Sequence, residues 1–277
     1  MSFQFIKMNG LGNDFVIVPD DEGRFAPTPP QARAIARRGG PWGCDVITAV
    51  TRSPRAHAGL RFWNPDGEEV EHCGNAVRCV AWLLMRALDL DHVRMDTPSG
   101  ILSARRDSPW RVTIDMGEPR LDWREIPLSF QIDTREVRIP FDPGLGAPGC
   151  VSMGNPHVTF FVPDLSAVAV TEIGPRIENH WLFPRRVNVG FAQIEAPDRI
   201  RLRVWERGAG LTKACGTGAC AALVAAHRRG LCGPDATFVL DGGELEISWR
   251  PADRHVLMTG PVSVEFSGHL PHLEHLA

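Results

Sequence analysis

The chain of 277 residues is 43% hydrophobic and 23% charged, carries a formal net charge of −3, and can fill one large or two medium domains. Its basic pairs, Arg37-Arg38, Arg105-Arg106, Arg185-Arg186 and Arg228-Arg229, are short and read as solvated surface, so neither nucleic acid nor a membrane is expected as partner. No apolar run approaches the ~20 residues of a membrane span, no leader pattern is visible, and seven cysteines without Cys-x-x-Cys spacing fit a reducing cytoplasm better than a disulfide scaffold or a zinc site.

In chain order, Phe3–Met8 and Phe15–Val18 read as strands flanking a Gly-Leu-Gly-Asn turn. Pro30–Arg38 reads as a helix ended by Gly39-Gly40, and Leu60–Trp63 as a strand running into the turn Asn64-Pro65-Asp66-Gly67. Ala76–Leu88 has apolar residues at helical spacing, which puts Cys73-Gly74-Asn75 at a helix N-terminus. Val158–Val162 and Ile200–Trp205 read as strands, and Gly208–Gly216 as a loop. Gly218–Gly230 reads as an Ala-rich helix with Cys215-Gly216-Thr217 at its start. Both helices are apolar nearly all round and are expected to be buried, each wrapped by strands. The tail carries His269, His272 and His275 and is expected to be a disordered or surface segment with no metal.

The chain repeats itself. Asn13 and Asn155, Trp63-Asn64 and Trp205-Glu206, and Cys73-Gly74 and Cys215-Gly216 are all separated by 142 positions. Three matches at one offset point to two similar halves. The register drifts later, since Cys79 and Cys220 lie 141 apart.

Paired Cys-Gly steps at paired helix starts have chemical meaning. A helix N-terminus has unpartnered N–H groups and a positive dipole end. The dipole favours thiolate and lowers a cysteine pKa, and the N–H groups following Cys73 and Cys215 can hold a carboxylate. One thiolate can remove an α-proton while an opposing thiol returns one to the other face. Pyridoxal phosphate is not expected, because it needs a lysine Schiff base, and the only lysines, Lys7 and Lys213, have no phosphate-binding context. No cofactor and no metal are therefore expected. Cys44, Cys79, Cys150, Cys220 and Cys232 read as small apolar residues.

These residues closely resemble the diaminopimelate epimerase family. The strings that carry the resemblance are Lys7-Met8-Asn9-Gly10-Leu11-Gly12-Asn13-Asp14-Phe15, Asn64-Pro65-Asp66-Gly67 and Glu71-His72-Cys73-Gly74-Asn75-Ala76-Val77-Arg78-Cys79. They continue through Met153-Gly154-Asn155-Pro156-His157, Arg186-Val187-Asn188-Val189-Gly190-Phe191, Glu206-Arg207-Gly208-Ala209-Gly210 and Ala214-Cys215-Gly216-Thr217-Gly218-Ala219-Cys220. The resemblance implies a mixed α/β fold of two pseudosymmetric domains. Each would be a curved, mostly antiparallel sheet around a central helix, with the active site in the cleft between them. It implies domains at 1–117, completed by 263–277, and at 118–262. It implies a cofactor-independent epimerase for LL- and meso-diaminopimelate, a small amino-acid substrate, in lysine and peptidoglycan precursor synthesis, and it leaves room for a homodimer. Cys73 and Cys215 would be the bases, with His157 and Glu206 supporting them. Asn13, Asn64, Asn155, Asn188, Glu206 and Arg207 would contact the substrate's distal end and α-amino group. Gly74-Asn75 and Gly216-Thr217 would hold the reacting carboxylate.

Two positions depart from the family pattern. Val46 follows Gly43-Cys44-Asp45 where the family often has glutamine or glycine, and Leu211 stands where glutamate is common. Both bear on binding detail rather than on the bases. Two rival readings are a proline or hydroxyproline racemase and a non-catalytic amino-acid-binding protein. Binding alone would need no thiol pair.

Overall fold

The computed structural model describes residues 2–70, 73–139 and 144–276; Glu71 and His72 of the first Cys-Gly string lie outside the described residues. The chain divides into two compact units, Met1–Ile114 with Thr259–Ala277, and Asp115–Met258.

Unit 1 opens with β1 (Phe3–Gly10) and β2 (Asn13–Pro19), an antiparallel pair. Leu11 and Gly12 join them with φ of 60° and 75°, the left-handed pair of a two-residue hairpin turn. Helix α1 (Pro29–Ala36) follows, its start fixed by Pro29-Pro30 and by Gln31 Oε1 accepting from Thr28 N at 2.9 Å. Next come β3 (Val46–Thr51), β4 (Ala58–Trp63) and the short β5 (Glu69–Val70). Helix α2 (Gly74–Leu88) then leads to β6 (His92–Thr97), β7 (Gly100–Ser108) and β8 (Arg111–Asp115). Strand β2 runs parallel to β3, β3 antiparallel to β4, β4 parallel to β6, and β6 antiparallel to β7.

Unit 2 repeats this order. It holds β9 (Gly149–Ser152), β10 (Pro156–Phe161), α3 (Val170–Glu178), β11 (Asn188–Ala196), β12 (Arg199–Glu206), β13 (Gly210–Thr212), α4 (Gly216–Arg228), β14 (Asp235–Leu240) and β15 (Gly243–Trp249). The pairings run antiparallel β9–β10, parallel β10–β11, antiparallel β11–β12, parallel β12–β14 and antiparallel β14–β15. The chain then passes back to unit 1 along β16 (Val256–Pro261) and ends in β17 (Ser263–Leu270), which pairs with β1.

The repeat extends to individual strand partners. Phe15 faces Val46 as His157 faces Asn188, Ile47 faces Trp63 as Val189 faces Trp205, and Phe62 faces Val70 as Val204 faces Thr212, each pair displaced by 142 positions. Beyond the central helices the register slips by one, since Ala58 pairs with Met95 but Ile200 with Phe238.

Each unit packs a central helix on one face of its sheet. Helix α4 is buried from Gly216 to Ala226, and its alanines admit close approach. A Cβ on Gly149 of β9 would stand 2.9 Å from the Ala225 Cβ, so glycine there lets strand and helix touch. Helix α2 is buried from Gly74 to Trp82 and ends at Asp89, a left-handed cap. On the far side of the unit 1 sheet, α1 packs with Phe5, Val18, Phe25 and Ile47.

Two expectations need correction. The segment Gly208–Gly216 is not all loop, because β13 pairs with β12. The C-terminal segment is ordered rather than disordered, and it does lie at the surface, with His269 and His275 exposed. His269 lies in β17, and Leu270, Leu273 and Leu276 join the α1 core. The reading of three spaced histidines overlooked the three leucines interleaved with them at the same spacing, and burial of those leucines ties the segment down.

The turn Asn64-Pro65-Asp66-Gly67 depends on its glycine. Gly67 has φ +90°, and a Cβ there would lie 2.3 Å from the Pro29 carbonyl oxygen. Gly67→Ala is expected to cost at least about 2 kcal/mol through backbone strain and overlap. Chemical denaturation measures this, and an unchanged midpoint contradicts it.

Candidate active site

Cys73 and Cys215 occupy equivalent places as the N-cap residues of α2 and α4. Both have extended backbone, with φ/ψ of −146°/96° and −118°/104°. The first carbonyl of each cap accepts its helical bond, from Val77 N at 2.9 Å and from Ala219 N at 3.0 Å. Neither N-cap residue carries a side-chain oxygen that could cap its first turn. The amides of Gly74-Asn75 and Gly216-Thr217 sit in those first turns, where helix geometry gives an N–H no carbonyl partner.

In unit 1, Asn13 begins β2 and Asn75 lies in the first turn of α2, and their side chains meet, with Asn75 Nδ2 donating to Asn13 Oδ1 at 2.8 Å. Asn13 Nδ2 lies 3.5 Å from Asp45 Oδ2. Arg38 bridges Asp14 and Asp45, and Asn9 donates to Asp14 at 2.7 Å. Burial works to raise the Asp14 pKa, but the Arg38 and Asn9 hydrogen bonds and the Lys7 charge outweigh it and hold the carboxyl below its ordinary value. Lys7 is itself buried, with Nζ donating to the carbonyls of Trp42 and Gly43. Asn64 closes the β4 turn through its backbone, its N–H reaching Glu68 O at 2.9 Å. Val46 is buried opposite Phe15.

In unit 2 the residues around Cys215 form a continuous cluster. His157 is buried in β10, with Nε2 at 3.0 Å from Asn155 Oδ1. Asn155 Nδ2 lies 3.4 Å from Thr217 Oγ1, which is 3.6 Å from Cys215 Sγ. Glu206, at the end of β12, accepts from the Thr212 hydroxyl and acts on the Cys215 thiol through charge and a hydrogen bond. Asn188 is buried and serves the loop, accepting from Arg207 N and donating to Pro156 O, both at 2.9 Å. Arg207 Nη1 reaches Arg185 O at 3.2 Å. Leu211 lies in β13 opposite Trp205.

The expected lowering of the thiol pKa fails for Cys215. Burial drives it well above the ordinary value, and the Glu206 carboxylate adds to the rise. The Thr217 hydroxyl and the Gly218 N–H act the other way without prevailing. Glycine at 218 is part of this arrangement, since a Cβ there would meet Val204 at 3.0 Å and Cys215 Sγ at 3.2 Å. Burial is also the largest cause at Cys44, Cys79 and Cys150, which it pushes up to about 12 against the opposing charges of Lys7, Arg78 and Arg228 respectively. Among the described residues, none of the seven cysteines is joined in a disulfide.

Sequence reading missed several residues that hold these groups. Glu178, buried at the end of α3, accepts from Trp205 Nε1 at 2.7 Å, Gly208 N at 3.0 Å and Arg186 Nη1 at 3.2 Å, and so fastens the loop carrying Arg207. Thr212, the partner of Glu206, stands 142 positions after Val70. Comparing the halves position by position would have exposed it as a polar replacement.

The family model described as diaminopimelate epimerase matches this chain twice, over residues 5–121 and 149–265. The chain belongs to the diaminopimelate epimerase family. Among curated proteins of that name it is 58% identical to one from Phenylobacterium zucineum, over 98% of this chain and 99% of the relative. It is 52% identical to one from Caulobacter vibrioides, covering 99% of each. The double match restates the internal repeat, one copy beginning in β1 and the other in β9. Solved structures at low identity share the fold. A phenazine biosynthesis protein of the PhzF family from Bacillus anthracis has a TM-score of 0.66 at 14% identity, over 98% of this chain and 100% of that one. A hydroxyproline epimerase from Agrobacterium vitis has a TM-score of 0.63 at 17% identity, over 97% and 92%. Among the described residues, no helix is long and apolar enough to cross a membrane, and no group of three or more His, Cys, Asp or Glu is placed to hold a metal ion.

The raised Cys215 pKa has a measurable sign. At pH 8 its alkylation in the free protein should lag that of a model thiol and rise with pH without levelling off. Glu206→Gln removes a charge that raises the pKa and should speed the reaction. Thr217→Val removes a donor that lowers it and should slow it. Site-resolved mass spectrometry follows each rate, and a rate that levels off below pH 8 contradicts the account.

Proposed function

We propose that this protein is an isomerase that interconverts LL- and meso-diaminopimelate without a cofactor, by a two-base mechanism carried by Cys73 and Cys215, in the cytoplasmic supply of lysine and peptidoglycan precursors. The observation that carries the reading is the pair of cysteines at N-caps of two central helices related by the internal repeat. Membership of the family at 58% identity to a named diaminopimelate epimerase supports the substrate.

The chemistry follows from the geometry of each helix end. The reacting carboxylate accepts from the first-turn amides, Gly74-Asn75 and Gly216-Thr217, where the helix dipoles favour negative charge. One thiolate takes the α-hydrogen as a proton, leaving the electron pair on the α-carbon and its carboxylate, where those amides stabilise it. The other thiol gives its proton to the opposite face. One S–H bond forms and one breaks, so the enzyme ends with its thiol and thiolate exchanged. Burial makes Cys215 the natural resting thiol, and the Thr217 and Gly218 donors ease its passage through the thiolate. His157 and Glu206 set the polarity around it, while Asn13, Asn64, Asn155, Asn188 and Arg207 serve the distal amino-acid end directly or by fixing the loops beside it. Lys7, with Nζ enclosed by backbone carbonyls, is in no position to form a Schiff base.

The test is conversion of LL-diaminopimelate to the meso form followed by chiral chromatography, beside proline and hydroxyproline. Diaminopimelate alone should turn over. Cys73→Ala and Cys215→Ala should each lower kcat/KM by roughly 10²–10⁴-fold with circular dichroism unchanged. A variant that keeps a tenth of the activity removes that cysteine from the mechanism, and turnover of hydroxyproline in place of diaminopimelate removes the substrate assignment.

A further inference from the structure

Arg78 lies one turn into α2 with 0% of its surface exposed, and the proton transfers proposed above give it no task. A guanidinium can only donate hydrogen bonds. Its Nη1 donates to Asn75 Oδ1 at 2.9 Å, and its Nε to the Pro261 carbonyl at 3.2 Å. With its oxygen claimed by the cation, the Asn75 amide turns its NH2 group to Asn13 and donates to Asn13 Oδ1 at 2.8 Å. Asn13 in turn has its oxygen occupied, and its own NH2 group faces the carboxylate of Asp45, 3.5 Å away. The sense of every bond in the chain is dictated from the buried end.

We infer that Arg78 is a positioning residue that fixes the donor–acceptor sense of Asn75 and, through it, of Asn13, so that Asn13 offers an N–H donor to a substrate carboxylate. The inference rests on the reading of Asn13 as a substrate contact. Two facing asparagine amides by themselves have two arrangements of similar energy, related by flipping both. A buried cation removes that choice, because the flipped form sets the Asn75 NH2 against guanidinium N–H groups in a low-dielectric interior. Burying an unneeded charge costs stability, which suits a group retained for directing neighbours. The surroundings are shaped to the guanidinium, since a Cβ on Gly10 would stand 3.3 Å from Arg78 Nη2 and 3.5 Å from Asn75 O. Unit 2 solves the same problem from the other side. There Asn155 is the counterpart of Asn13, and the His157 ring on the strand meets its oxygen while its NH2 faces Thr217.

The experiment compares Arg78→Met, Arg78→Lys and Asn75→Asp, each alone and with Asn13→Ala. Asn75→Asp keeps a partner for the buried cation but cannot donate to Asn13, so it carries the test if Arg78→Met does not fold. Arg78→Met should raise the KM for LL-diaminopimelate about 10- to 100-fold, the scale of a lost hydrogen bond to a charged group, with kcat within about 3-fold of wild type. Asn75→Asp, which lies in the proposed anion site, should raise KM on the same scale and is judged on KM and on the Asn13 resonances rather than on kcat. Arg78→Lys should recover much of the loss. On the Asn13→Ala background both effects should vanish, because the relay then has no end. In ¹⁵N-labelled protein the Asn13 side-chain amide resonances should move in Arg78→Met and Asn75→Asp, a readout independent of turnover. If the wild type fails to turn over diaminopimelate, the functional reading falls while those resonances still judge the relay. A wild-type KM in Asn75→Asp, effects that multiply on the Asn13→Ala background, or unmoved Asn13 resonances overturn the proposal.

Discussion

Each central helix begins on a cysteine where a helix built for stability would carry Ser, Thr, Asp or Asn. An N-cap oxygen is worth about 0.5–2 kcal/mol, and neither Cys73 nor Cys215 makes such a cap. The helices are enclosed by their sheets, so their first turns are held in surroundings that strengthen every electrostatic contact. In the proposed reaction the first-turn amides serve as donors to the substrate carboxylate, and each unit keeps its own helix start buried for that task. The alanines of α4, the close approach at Gly149 and the parallel crossovers on either side all serve that burial.

The repeat was legible because it is written in chemistry-bearing residues. Asn13 and Asn155, and Cys73 and Cys215, share one offset, and the strand partners keep it through β5 and β13. The central helices could be read from apolar spacing, and their starts from the Cys-Gly steps. What could not be read was what lies around them. Glu178 is remote in sequence from the loop it fastens, and Arg78 looks like a surface arginine on a helix until the fold encloses it. The tail misled because three histidines drew more notice than the leucines among them, and the thiol pKa misled because a dipole can be inferred from sequence whereas desolvation depends on tertiary packing.

The two halves have kept the frame and diverged in polarity. Where unit 1 has Phe15, Val46, Asn64 and Val70, unit 2 has His157, Asn188, Glu206 and Thr212 at the same offset of 142. Each replacement adds a polar or ionisable group on the side of Cys215. Unit 1 instead gathers fixed charge at Arg38, Asp14, Asp45 and the buried Arg78 beside Asn13 and Asn75. On the unit 2 side, burial and the Glu206 carboxylate make the Cys215 thiol hold its proton firmly.

The central claim is that separate thiols serve the two faces of the α-carbon. Epimerisation of a single stereoisomer in deuterated water, stopped early, tests it most directly. With one base on each face, early product should carry solvent deuterium at the α-carbon, because the delivering thiol has already exchanged in the free enzyme, and recovered substrate should carry little. Early product that keeps mostly its original hydrogen would contradict the account, since a single group would then have carried the same proton from one face to the other.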